Sequence, residues 1–262
     1  MFVTTAGRTN EEMIKKAKEV ALELKISYIA RNKKTVKALQ NLYKEDCIVV
    51  GKERLELFSL GENEPFFFHP SSSMFRIKRL MENGHDPYIE ACNLKQGKHI
   101  LDCTLGLASD SIVASYIVGS EGRVVGIEGS PYLAYLVEKG LKTWDSGIEE
   151  MNGALRNIEV VQQISLDYLK TLPDKSFDCV YFDPMFEEGI LESDGIKGLR
   201  QMAVYQDITN EMILHAKRVA RERVVLKDHF RSQRFERFDF KVTRRKSAKF
   251  HFGVLQIQSI RS

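Results

Sequence analysis

The sequence predicts an α/β fold built on a mostly parallel sheet, and three stretches predict it. Cys179-Val180-Tyr181-Phe182 is an apolar run that stops at Asp183-Pro184. A parallel strand covered on both faces is continuously apolar. Proline has no N–H for the ladder and ends such a strand. His99-Ile100-Leu101-Asp102 is a second strand, followed by the turn Cys103-Thr104-Leu105-Gly106-Leu107-Ala108 and the start of a helix. About 20 residues on, as a strand–helix–strand spacing allows, Val124-Val125-Gly126-Ile127-Glu128 is a third strand. All three end in an acid. In open α/β sheets, ligands bind outside the carboxyl ends of the strands.

The other elements follow from the N-terminus. Residues 1–5 read as a strand. Asn10 with Glu11 and Glu12 caps a helix to about Lys25, with Ile14, Ala17, Val20, Ala21 and Leu24 on one face. Residues 26–29 read as a strand, 35–43 as a helix, and 47–50 and 55–60 as strands. Pro65-Phe66-Phe67-Phe68-His69-Pro70 breaks the pattern, and 72–83 form a linking helix carrying Arg76, Lys78 and Arg79. Residues 1–95 are therefore expected to be a small α/β appendage, either gripping substrate or serving as a lid. Residues 96–262 form the main unit. There, Ser109 or Asp110 is placed to cap a helix through 112–118. Ser130-Pro131 starts another. Residues 189–198 read as a loop, 199–220 mostly as a helix, and 223–227 as a buried strand with Lys227 at its carboxyl end. Residues 235–243 and 250–260 read as an antiparallel hairpin closing the sheet.

The three acids suggest a ligand. Gly106 lets the backbone pass close to it. Glu128 suits a ribose diol, because a carboxylate accepts from both hydroxyls. The turn lacks the G-x-G-x-x-G that a pyrophosphate requires. A ligand with adenosine but no phosphate does not need it, which points to S-adenosylmethionine rather than NAD.

These motifs together resemble the class I S-adenosylmethionine-dependent methyltransferases, and most closely the RsmJ-type 16S rRNA (guanine-N2)-methyltransferases. The resemblance rests on Asp102-Cys103-Thr104-Leu105-Gly106-Leu107-Ala108-Ser109-Asp110, Glu128, Ser165, Tyr181-Phe182-Asp183-Pro184-Met185-Phe186 and Arg223-Val224-Val225-Leu226-Lys227, about half the chain. It implies a Rossmann-like seven-stranded sheet with an antiparallel last strand. It implies a cofactor site of Asp102, Thr104, Gly106, Ser109, Asp110, Glu128, Gly129, Ile164, Ser165 and Asp183. Ser109 and Asp110 belong to the methionine end, Glu128 and Gly129 to the ribose, Ile164 and Ser165 to the adenine, and Asp183 lies beside the transferred methyl. Four departures stand out. The family turn usually reads G-L-G-R-D, the arginine usual after the ribose acid is Gly129, the acidic Glu187-Glu188-Gly189-Ile190-Leu191-Glu192 replaces a lysine-rich segment after the D-P-M-F motif, and Asp228 replaces a basic residue after Lys227.

The implied chemistry is in-line displacement at a sulfonium methyl, for which the enzyme chiefly positions the nucleophile. The exocyclic amine of a base is a poor nucleophile, its lone pair being conjugated into the ring. Asp183 and the Pro184 carbonyl, accepting from that amine, would draw the lone pair out of plane, and Phe186 would stack on the base. Lys227, Arg244 and Arg245 are the further substrate-binding candidates.

Composition agrees with a globular enzyme. The chain has 262 residues, 43% hydrophobic and 29% charged, with a net charge of +3. No apolar run approaches the ~20 residues of a membrane span, and no signal peptide is evident, so a cytoplasmic protein is expected. Cys47, Cys92, Cys103 and Cys179 are scattered, and neither they nor the histidines have metal-ligand spacing, so no metal is expected. From Lys217 to Lys249 basic residues outnumber acidic ones about three to one. Phe230, Phe235, Phe238 and Phe240 interleave with them, either as a nucleic-acid surface or as core rings behind solvated arginines. The expected partner is RNA, ribosomal RNA or the small ribosomal subunit. A methyltransferase for a small molecule or protein, and a non-catalytic RNA-binding protein of the same fold, are the alternatives.

Overall fold

Two sheets make up the computed structural model, which describes residues 1–184, 207–244 and 248–258, and most of their strands are buried along their length. The first is N-terminal. Strand β1 (Phe2–Thr5) leads to α1 (Glu11–Leu24), whose N-cap Asn10 accepts the Met13 N–H at 2.8 Å. Strand β2 (Ser27–Tyr28), α2 (Val36–Tyr43), β3 (Cys47–Val50) and β4 (Leu55–Phe58) complete it in the order β2-β1-β3-β4, with β4 antiparallel. Helix α3 (Ser71–Met81) links to the rest. A six-residue helix, α4 (Pro87–Cys92), follows, too short for apolar periodicity to predict. Its caps are legible: Asp86 accepts the Tyr88 N–H, Pro87 takes the first helical position, and Asn93 closes it left-handed.

The second sheet holds β5 (His99–Asp102), β6 (Arg123–Glu128), β7 (Ile158–Gln162), β8 (Phe177–Phe182), β9 (Ala220–His229), β10 (Lys241–Thr243) and β11 (Phe250–Gln256). Their order is β10-β11-β9-β8-β5-β6-β7. All neighbours are parallel except β11, which is antiparallel to both β9 and β10. That is the Rossmann-like sheet with the antiparallel last strand. Helices α5 (Ser109–Val118), α6 (Pro131–Thr143) and α7 (Glu149–Arg156) pack on one face, and α8 (Ser165–Thr171), α9 (Asn210–Val219) and α10 (Arg234–Arg237) on the other.

Successive strand residues alternate between two cores. Ile100, Val124, Tyr181 and Val225 join one, and Leu101, Val125, Val180 and Val224 join the other. The first core is continuous with Val3, Ile48 and Leu57 of the small sheet.

The C-terminal region differs from expectation. Residues 234–237 are helical, and the hairpin strands are only β10 and β11. Phe235, Phe238 and Phe240 are buried in the second core, so these rings are core rings; Phe230 alone of the four is exposed. Helix α9 starts at Asn210, capped by Thr209. The loop expected at 189–198 and the helix expected over 199–206 lie outside the described residues. Among the described residues no helix is long and apolar enough to cross a membrane.

Candidate active site

The strand ends bring most of the expected residues to one edge. Asp102, at the end of β5, is 2% exposed. Its Oδ1 accepts the Thr104 N–H at 3.0 Å, and its Oδ2 accepts the Ser111 hydroxyl at 2.6 Å. Burial pushes its carboxyl up to about 7, against those hydrogen bonds. Asp102 thus folds the turn that follows it.

Thr104 ties this turn to β8. Its hydroxyl accepts the Asp183 N–H at 2.6 Å and donates to Asp102 at 3.3 Å. The turn then bends through Gly106, at φ 49°, and Ala108, at φ 61°. The left-handed region costs a residue with a Cβ roughly 1–2 kcal/mol, and the resembled family usually has glycine at that point. Ala108, fully buried, holds the conformation by packing and is the N-cap of α5. Neither Ser109 nor Asp110 caps this helix, contrary to expectation; both sit in its first turn, and no side chain makes the cap bond.

Asp110 is instead the centre of a buried charge network. It accepts from Arg76 Nη1 at 2.5 Å, Tyr181 OH at 2.7 Å and Lys227 Nζ at 3.0 Å. Burial raises its carboxyl, but Lys227 and Arg76 overcome this and hold it well below the usual carboxylate range. Arg76 also binds Asp86 at 2.8 Å, so α3 is clamped to the turn. The sequence marks Arg76 as part of a basic helix but not as a site residue. The available signal is Asp110 itself, since a buried acid needs a partner.

Lys227 reaches from β9 to Asp183 Oδ2 at 2.6 Å. The side chains of both residues keep 24% exposure, so the pair opens to solvent. Burial, with the Asp110 charge, moves Asp183 up to about 6 although Lys227 pulls it down.

Glu128 ends β6 with its side chain buried, and its Oε1 accepts the Ser130 N–H at 2.9 Å. Burial raises its carboxyl, opposed by the N–H groups of Ser130, Gly106 and Gly129. Ser130 caps α6 through the Leu133 N–H, as expected. Ile164 is the N-cap residue of α8, and Ser165 donates to the Cys103 carbonyl at 2.5 Å, which joins this helix start to the β5 turn. Asp167 is exposed.

Arg244 follows β10. Thr243 pairs with Phe252, which pairs with Lys227, so Arg244 lies at the same edge, ~10 Å across two strand spacings. Phe186 and Arg245 lie outside the described residues. Asp228, the departure after Lys227, is buried and accepts from Arg234 at 3.0 Å and Ser232 at 2.6 Å. The basic run is partly structural too: Arg218, Arg221 and Arg223 donate to the carbonyls of Leu172, Lys175 and Ala91. No group of three or more His, Cys, Asp or Glu is placed to hold a metal among the described residues.

The donor set fits S-adenosylmethionine. Glu128, buried beside the glycine turn, offers a carboxylate to a diol, and Asp183 lies open at the end of β8, two strands away across β5. Sheet order and site define a Rossmann-like S-adenosylmethionine-dependent methyltransferase. Residues 31–251 match the family described as "Putative SAM-dependent methyltransferase", and the chain belongs to that family. The uncharacterized protein YpiP of Bacillus subtilis (strain 168) is 48% identical over 255 residues, 97% of this chain and 99% of its own. A ribosomal RNA small subunit methyltransferase J of Francisella tularensis subsp. novicida is 29% identical over 119 residues, 44% of this chain and 47% of that one. The fold is similar to the SAM-dependent methyltransferase NGO1261 of Neisseria gonorrhoeae, with a TM-score of 0.62 at 15% identity over 98% of this chain and 96% of that chain.

Proposed function

We propose that this methyltransferase acts on RNA, at the exocyclic N2 amine of a guanine in ribosomal RNA. The observation that carries the reading is Asp183-Pro184, a half-open carboxylate at the end of β8, fixed from below by Thr104 and from the side by Lys227. The partial similarity to a ribosomal RNA methyltransferase supports the substrate class.

Glu128 and Gly129 would hold the ribose, Ile164 and Ser165 the adenine side, and Ser109 and Asp110 the methionine end. Asp102 and Thr104 act on the cofactor through the shape of the turn. The bound cofactor supplies an electrophilic methyl group. Asp183 and the Pro184 carbonyl accept hydrogen bonds from the incoming amine, which localises its lone pair along the line of attack. Lys227 can keep its bond to Asp110 while Asp183 turns to the amine. The amine proton passes to Asp183 or to water. Phe186 and Arg245 remain substrate-binding residues of the proposal, with Lys227 and Arg244. Residues 1–95 act as the substrate-gripping region, held to the site by Arg76.

A small-molecule or protein substrate is the second reading. It is favoured by one observation: arginines of the basic run are spent on internal carbonyls and on Asp228. Mass analysis of rRNA nucleosides from cells with and without the gene separates the two. Loss of N2-methylguanosine on deletion is the expected result. An unchanged nucleoside profile would overturn the RNA assignment.

A further inference from the structure

The end of the β9–β11 ladder carries an aromatic cluster that no part of the proposed chemistry uses. Phe250 pairs with His229 and Phe252 pairs with Lys227. Directly opposed residues share a face of the sheet, as do residues two apart along a strand. Lys227, His229, Phe250 and Phe252 therefore lie on the face that looks toward Asp110 and Asp183. The rings form a series along it. Tyr181, bonded to Asp110, lies 4.8 Å from Tyr88, and Tyr88 lies 6.3 Å from Phe252. One strand step outward, His229 lies 6.3 Å from Phe250 and 4.5 Å from Phe230.

Phe230 ends the series. It touches rings from both faces of the sheet, since His251, paired with Asp228 on the other face, lies 6.2 Å away. It is also 45% exposed. A solvent-facing phenylalanine held on two sides by other rings is rigid, so it loses little freedom when a flat ligand stacks on it. Arg231 places its guanidinium 5.1 Å from the ring, and Arg244 is exposed at the same edge. The nearest acid in sequence, Asp228, is buried and paired with Arg234. The local charge therefore favours an anionic partner with flat apolar faces. Single-stranded nucleic acid has both properties, since its bases stack on aromatic and guanidinium planes while its phosphates meet cations.

We propose that Phe230, backed by His229 and His251, with Phe250 packed behind His229, and flanked by Arg231, is a stacking platform for an unpaired base next to the nucleotide that enters the Asp183 crevice. Phe230 follows Lys227 by three residues, ~10 Å along an extended chain, which is the reach of a neighbouring nucleotide. This rests on the reading of the substrate as RNA. The platform contributes position and affinity; it takes no part in the transfer.

The test is equilibrium binding of the full chain to a fluorescein-labelled single-stranded oligoadenylate over a salt series, with S-adenosylmethionine affinity measured in parallel by titration calorimetry. Base stacking is worth about 1–3 kcal/mol per base, so Phe230→Ala should weaken RNA binding about 5- to 150-fold. Phe230→Trp should retain it. The salt slope of Phe230→Ala should match the parent, whereas Arg231→Ala should lower the slope by about one. Cofactor affinity should be the same in all four proteins. RNA binding by the parent with unchanged affinity in Phe230→Ala would overturn the platform alone. A parent that binds no RNA would overturn the RNA reading and the platform with it.

Discussion

Lys227 stands 2.6 Å from Asp183 and 3.0 Å from Asp110, so one ammonium serves two carboxylates. The two acids respond oppositely. Asp110, also bound by Arg76, is held below the ordinary range, while Asp183 is moved up to about 6. Transfer that needs an ionised Asp183 should therefore fall as pH drops through about 6. Lys227→Met removes the cation that opposes the shift. The acid limb of the single-turnover rate should then move to higher pH. A pH profile that stays in place would show that Lys227 does not tune Asp183.

Asp183 and Glu128 should separate chemistry from binding. Asp183→Ala removes the acceptor at the β8 end and leaves the β6 end intact. It should abolish methyl transfer while S-adenosylmethionine still binds. Glu128→Gln keeps the shape but weakens the acceptor for a diol, and its first effect should be on cofactor affinity, by roughly tenfold, the scale of one hydrogen bond to a charged group. Calorimetric titration of both variants checks this. Full activity in Asp183→Ala would remove the role assigned to it.

Arg76 should matter to stability well beyond an ordinary surface arginine. Its side chain is only 16% exposed, and it bonds both Asp86 and Asp110. Removing one partner of a buried pair costs about 3–5 kcal/mol, so Arg76→Met should lose a large part of that in urea unfolding at neutral pH. Asp110 has a depressed value in the folded chain. Its contribution is present above about pH 4, the unfolded value, and is lost as pH falls below it. The gap between parent and variant should therefore narrow under acid. A gap that is constant with pH would show that Arg76 acts only through packing.

Asp102 carries the opposite sign. Its folded value of about 7 lies above an unfolded value near 4. Between those values the folded chain binds more protons than the unfolded one, so Asp102 makes stability fall as pH rises from about 4 to about 7. Asp102→Asn removes the titration while keeping an acceptor for the Thr104 N–H. The variant should gain thermal stability relative to the parent between pH 5 and pH 7.5. An equal difference in Tm at both pH values would count against the buried titration.

These networks also mark which parts of the site are legible in the sequence. Strand ends are local: an apolar run closed by Asp183-Pro184 or by Glu128-Gly129-Ser130-Pro131 is written in consecutive residues, so the carboxyl edge follows from the sequence alone. Caps such as Asn10, Ser130 and Thr35, whose hydroxyl accepts the Ala38 N–H at 3.1 Å at the start of α2, are local too. The partners of a buried charge are not. Arg76 lies 34 residues from Asp110, and Lys227 lies 117 away; only folding selects them among 39 lysines and arginines. The stretch after Lys227 misleads for a related reason. Phe235, Phe238 and Phe240 suggest alternation, but Arg234 is drawn inward by Asp228 and Asp207, which suits a short helical turn.

Gly126 tests whether the cofactor turn depends on packing from beneath. Leu105 lies directly on the β6 backbone, and a Cβ at position 126 would overlap its Cδ1. The Leu105 N–H also donates to the Ile127 carbonyl at 3.0 Å, so the turn cannot simply lift away. Gly126→Ala should therefore cost about 1–3 kcal/mol through overpacking. Any relief must come from shifting Leu105, which precedes Gly106 and stands three residues before the left-handed Ala108. Cofactor affinity should drop by more than the loss of stability accounts for, because the distortion falls on the turn itself. Pairing Gly126→Ala with Leu105→Ala, which vacates the space, should restore cofactor binding relative to Gly126→Ala alone. A double variant that binds no better would show that the turn is set by Asp102 and Thr104 without support from β6.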